Sequence, residues 1–264
     1  MPLAFYGAHA DERYWSEHWQ QQHFEGLLAV ARDAYLTRRL NESLPGGGLI
    51  LDAGCGVGQY VLCLRERGWR VIGGDFSQAA LAIGKAHNAL LPLIAMDVRA
   101  LPLPDSSISA YISLGVIEHF EDGPQPVLAE AYRVLTPGGR LLLSVPWINL
   151  MRWVRIRKLR ALSERQRAVG APFYQYAFST GEICAFLKSA GFQVRSLFPY
   201  DPGRGARSWL SIRVHARSDT SANLSPPWGY WLHRLARTLL YSPPGLAVFA
   251  HMILVVAIKP VTRE

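Results

Sequence analysis

The stretch Ile50-Leu51-Asp52-Ala53-Gly54-Cys55-Gly56-Val57-Gly58 decides the fold of this chain. An apolar run enters it from Gly48 and Leu49, and a helical pattern leaves it over residues 59–67. Apolar run, glycine turn and amphipathic segment make a strand–turn–helix unit. Three glycines at alternate positions let the backbone come close to a ligand, because a Cβ at any of them would collide with it. The helix points its first amides and the positive end of its dipole back at the turn. Asp52 is the one fixed negative charge there. The turn therefore suits a ligand with polar acceptors and a cationic part.

Glycine spacing separates two nucleotide-type ligands. The dinucleotide fingerprint needs G-x-G-x-x-G. Here the third glycine falls one residue early, at Gly58, and position 59 is Gln. The stretch reads D-x-G-x-G-x-G and resembles motif I of the class I S-adenosylmethionine (SAM)-dependent methyltransferases. Four further landmarks follow in order. Residues 69–75 form a short apolar run ending in an acid, Asp75, about twenty residues after motif I, where a carboxylate can accept from both ribose hydroxyls. Residues 90–96 form another, ending in Asp97-Val98. Residues 101–108, Leu-Pro-Leu-Pro-Asp-Ser-Ser-Ile, are similar to a stretch of the group that includes ubiquinone and menaquinone biosynthesis enzymes. Leu135-Thr136-Pro137-Gly138-Gly139 is the fifth, a proline-set turn. The likeness covers roughly residues 45–200 plus the last strand.

The resemblance implies an α/β, doubly wound, seven-stranded and mostly parallel sheet of Rossmann-like type, its last strand antiparallel beside the fifth. It also implies transfer of the SAM methyl group. Asp52, Ala53, Gly54, Cys55, Gly56, Gly58, Asp75, Phe76, Asp97, Val98 and Gly115 are the expected cofactor residues, with Phe76 against the adenine and Asp97 at its exocyclic amine. Glu118 and His119 follow the fourth strand, at the carboxyl end where such sheets place ligands, next to the sulfonium. His119 is the candidate base, since an unperturbed imidazole titrates near neutrality. A quinone O-methylating relative has an acid where Gly115 stands here, so no metal is expected.

Four regions follow: an N-terminal helical lid (1–45), a SAM-binding core (46–146), a basic amphipathic cap (147–178), and the end of the core (179–264) with an insertion near 201–245. The lid reads as helices over 11–24 and 26–44. Tyr14 and Trp15 from the lid, Trp147 at the cap's start, and Tyr174 and Tyr176 are candidate acceptor contacts; each is equally at home packed in the core. Residues 147–167 carry seven arginines and lysines against the single acid Glu164, interleaved with apolar residues. That pattern reads as a cap helix with a solvated basic face, or as a lid that docks on anionic lipid or a lipid-linked acceptor.

A net charge of +8 favours anionic partners without choosing among them. No RNA-binding module accompanies the charge, so nucleic acid is not expected. Three cysteines, Cys55, Cys63 and Cys184, without a C-x-x-C indicate neither a disulfide framework nor zinc, and suit a reducing cytoplasm. The first residues lack the apolar segment of a signal peptide. The rival readings are a nicotinamide-dependent oxidoreductase, disfavoured by glycine spacing, and a non-catalytic SAM-binding or membrane-docking module.

Overall fold

The computed structural model describes residues 2–210 and 238–261. A seven-stranded sheet forms its centre, in the order β4-β3-β2-β5-β6-β9-β8. These strands are β2 (Ile50–Ala53), β3 (Val71–Asp75), β4 (Leu93–Ala95), β5 (Ile108–Leu114), β6 (Leu135–Pro146), β8 (Gln193–Tyr200) and β9 (Met252–Ile258). β2 through β6 run parallel, and β9 lies antiparallel between β6 and β8. The last strand therefore sits beside the fifth strand of the sheet, as expected.

Parallel strands covered on both faces need unbroken apolar sequence, and every residue of β2 is buried. Side chains alternate across the sheet. Leu51, Tyr111, Leu141, Leu143 and Val255 pack on one face with Leu128 of α6 (Gln125–Val134) and Ile183 of α9 (Thr180–Ser189). Ile50, Ile112, Leu142 and Leu254 pack on the other with Leu28 of α2 (Phe24–Asp33), Leu40 of α3 (Tyr35–Ser43) and Val61 of α4 (Gln59–Arg65). The strand order reverses between β2 and β5. That switch point opens a crevice at the carboxyl ends of the two strands, where Asp52 and Gly115 stand.

Three local expectations change. The segment 26–44 breaks into α2 and α3 at Ala34, which is extended at φ −66°, ψ 141°. The lid also begins with a strand, β1 (Leu3–Tyr6), ahead of α1 (Glu12–Gln20). β1 pairs antiparallel with β7 (Phe173–Ala177), which lies in the cap. Lid and cap are thus stitched into one unit. The cap itself folds as α7 (Leu150–Val154) and α8 (Ile156–Ala168). In the insertion, α10 (Pro202–Leu210) is seen, and α11 (Pro243–Phe249) leads into β9. Residues 211–237 of the expected insertion lie outside the described residues. Among the described residues, no helix is long and apolar enough to cross a membrane.

Candidate active site

The glycine turn is locked to β3. The amides of Gly54 and Cys55 both donate to the Gly74 carbonyl, at 2.7 and 3.0 Å. One oxygen of Asp75 accepts from the Gly56 amide and the other from the Ser77 amide, each at 2.8 Å. Ser77 in turn caps α5 (Gln78–His87) through the Ala80 amide. Gly54 and Gly56 have φ of +79° and +56°, a region that disfavours side chains, and a Cβ on them would strike Val116 and the Trp19 ring. Glycine is therefore required here by both conformation and space.

Two buried acceptors at this turn lack a donor: Asp52 Oδ2 and Gln59 Oε1. Orphaned buried polar atoms are rare and call for a partner. Burial pushes Asp52 from 3.8 up to about 7, and the nearby Asp75 charge adds to the rise. Burial also raises Asp75, opposed by the amides of Ser77, Gly56 and Phe76. A cation placed here relieves both carboxylates.

Across the crevice, β5 ends in Gly115, at φ +74°, and a short 3-10 turn over Ile117–His119. Glu118 lies buried under this turn, with Oε2 unpartnered, and burial lifts its carboxyl from 4.5 to about 8. His119 Nδ1 lies 2.8 Å from the Tyr174 carbonyl. A carbonyl only accepts, so Nδ1 carries the proton and Nε2 keeps its lone pair. Burial lowers the His119 pKa below its usual 6.5, which holds the ring neutral; the Tyr174 carbonyl opposes this in part. Trp15 and Tyr174 meet the imidazole edge-on, with centroids 5.0 and 5.2 Å away. Tyr14 packs against both, and its hydroxyl donates to that of Tyr174 at 3.3 Å. His18 and Trp19 continue the aromatic wall toward the glycine turn. The arrangement is a neutral imidazole in an aromatic cage beside a cation-seeking cradle.

Comparison with known proteins fits this geometry. The model of a methyltransferase domain family matches residues 51–143. Residues 51–143 thus carry a methyltransferase domain similar to those of the class I SAM-dependent enzymes. A Mycolicibacterium smegmatis protein described as a probable SAM-dependent methyltransferase is 31% identical over 156 residues, 59% of this chain and 56% of that one. A mouse protein described as a probable tRNA methyltransferase is 32% identical over 69% of this chain and 38% of its own length. The chain spans about half the length of the curated relatives it matches, or less. The fold is that of a SAM-dependent methyltransferase from Mesorhizobium loti, with a TM-score of 0.56, 20% identity, and 86% and 99% of the two chains covered.

A methyltransferase domain similar to SAM-dependent relatives points to SAM as the cofactor of the site, and the residues present fit it. Asp52 offers a buried, unpartnered carboxylate to the cationic part. The glycine cradle admits backbone amides at close range. Each Asp75 oxygen has used one lone pair on the turn and retains another for the ribose hydroxyls. Phe76 stands 44% exposed just past β3, an apolar ring open to adenine stacking. Asp97 is already held by Arg99, bidentate at 2.7–3.1 Å, so it presents a shared rather than a free carboxylate. Val98 turns its side chain into the core, and Ala53 and Cys55 are buried. Among the described residues, no group of three His, Cys, Asp or Glu side chains could hold a metal.

The expected acceptor residues divide. Tyr14, Trp15 and Tyr174 meet at His119. Trp147 donates its indole N–H to Thr180, and Tyr176 donates to the Glu121 carbonyl while packing on Phe173 and Phe178. These two are occupied by the joint between sheet and cap. Sequence reading missed Trp19, His18 and Gln59 as site residues. The first two carried a signal: Trp15, His18 and Trp19 share one helical face by their i, i+3, i+4 spacing.

Proposed function

We propose that the protein transfers the methyl group of SAM to an oxygen, nitrogen or carbon nucleophile of a small-molecule, glycan or lipid-linked acceptor. The observation that carries this reading is the caged His119, held neutral, with Nδ1 pinned and Nε2 unprotonated, at the end of β5 opposite the orphaned Asp52. SAM supplies a methyl group on a cationic sulfur, and that charge disappears on transfer. The chain's own residues supply position and a proton acceptor. Asp52 and Asp75 fix the cofactor against the glycine turn. Tyr14, Trp15 and Tyr174 exclude water and orient the acceptor, and alignment of this kind is worth up to about 7–11 kcal/mol of barrier. His119 Nε2 takes the proton of a hydroxyl or amine acceptor as the new bond to the methyl carbon forms. An activated carbon acceptor needs no strong base. Glu118, neutral at pH 7 with its carboxyl near 8, stores a proton under the same turn.

The test is turnover of labelled SAM with panels of hydroxylated, aminated and lipid-linked acceptors, alongside a transfer RNA panel. Methylated small or lipid-linked product that depends on His119 supports the reading. Label only in RNA moves the acceptor class. SAM uptake without any product leaves a binding module and removes the enzymatic reading.

A further inference from the structure

The cap carries a surface that the site does not use. Arg152, counted among its basic residues by sequence, belongs to the anchor instead. It is half-buried and donates to the carbonyls of Trp147 and His251 and to the His251 ring. Asn149 ties the same corner to the Ala250 carbonyl. α8 then lies against β1, turning inward its half-buried Ile156, Leu159 and Gln166.

The outward side of the cap mixes two chemistries. Arg155, Arg157, Lys158, Arg160, Arg165 and Arg167 are all exposed, and Glu164 is the single acid in α8. Beside them stand apolar side chains in water: Trp153 at 64% and Val154 at 67% exposure, with Leu150, Leu162 and Val169 also exposed. Three of the five residues of α7 are thus exposed and apolar. Neither α7 nor α8 contains a buried residue.

We propose that this face docks on an anionic lipid bilayer, with α7 seated at the headgroup–acyl boundary and the α8 cations over the lipid phosphates. Charge complementarity argues for an anionic surface, worth about 1 kcal/mol for each arginine or lysine near it. The apolar tip chooses lipid over nucleic acid. Phosphate recognition gives Leu150 and Val154 nothing to bury against, whereas interfacial helices combine a basic face with Trp and aliphatic residues. Placement agrees. The cap leaves the sheet at Trp147, at the carboxyl end of β6 where such sheets bind ligands. β1, under α8, pairs with β7, whose Tyr174 carbonyl holds His119. A docked cap therefore turns the acceptor cage toward the membrane. The docking proposal stands independently of methyl transfer.

The experiment is flotation of the full chain with vesicles of phosphatidylcholine alone or mixed with phosphatidylglycerol. Binding is expected only to the mixed vesicles, and it is expected to fall as salt rises. Arg157→Gln/Lys158→Gln/Arg165→Gln should lower partitioning by roughly tenfold to a hundredfold. Trp153→Ala should weaken it without changing its salt dependence. Both variants should retain cofactor uptake, which shows that they are folded. Equal binding to neutral and anionic vesicles, or a triple variant that floats like the parent, overturns the proposal. So does binding of transfer RNA at the same salt with no vesicle binding, which assigns the face to nucleic acid.

Discussion

Asp52→Asn should make the ligand-free protein more stable at neutral and alkaline pH while disabling it. In the fold, burial holds the Asp52 carboxyl near 7 instead of 3.8. Between these values the unfolded chain has lost a proton that the folded chain keeps. Fewer protons bound in the unfolded state means that stability falls as pH rises through this window. A shift of about three units at 1.36 kcal/mol each amounts to roughly 4 kcal/mol lost from pH 4 to pH 7. Asn has the same shape and cannot ionise. Its buried amide, with no acceptor in place, costs about 1–3 kcal/mol at every pH. The variant should therefore be slightly less stable than the parent near pH 4 and about 1–3 kcal/mol more stable near pH 8. The assay is urea unfolding across pH, with SAM uptake followed in parallel and expected to fall at least about tenfold with the loss of a charge-assisted contact. A stability difference that does not vary with pH refutes the reasoning, because Asp52 would then be ionised at no cost in the fold.

Other substitutions probe the remaining parts. Asp75→Ala removes two charge-assisted bonds to the Gly56 and Ser77 amides and should cost about 2–4 kcal/mol of stability, read by thermal unfolding. Asp97→Ala loses an exposed pair with Arg99 and one bond from the Arg99 amide, and should cost about 1 kcal/mol. His119→Ala should lower kcat by on the order of 10²–10⁴ with a hydroxyl or amine acceptor and leave SAM affinity unchanged. Because burial holds His119 below 6.5, the parent's rate should fall only below that pH and stay level above it. Gly56→Ala drives a Cβ into the Trp19 ring at a left-handed backbone position. It should weaken SAM uptake more than Trp19→Ala does, as read by calorimetry.

The central unit was legible because its constraints are local. Glycine spacing, an apolar run buried on both faces and a helix start all lie within residues 48–67. The Ser77 cap is local in the same way, since its bond spans three residues. β1 was not readable. It is four residues long, and its partner Ala177 stands 174 positions from Leu3, so no local pattern marks the pairing. The same pairing made a strand of residues 173–177, which by sequence fell within the end of the basic cap. Ala34 broke one expected helix into two through a single extended residue, which no glycine or proline announces. In the site, aromatics were visible but their partners were not. Tyr174 and Tyr176 look alike in sequence and, two residues apart, share a face of β7; what separates them is the distant chain each meets, His119 for one and the Glu121 carbonyl for the other.

The most direct measurement is calorimetric titration of the folded chain with SAM, S-adenosylhomocysteine and NADH. One site per chain for each of the first two ligands, none for NADH, and loss of both on Asp75→Ala is the expected result. Heat with NADH alone, or with none of the three, contradicts the assignment of the turn between β2 and α4 to an adenosyl sulfonium.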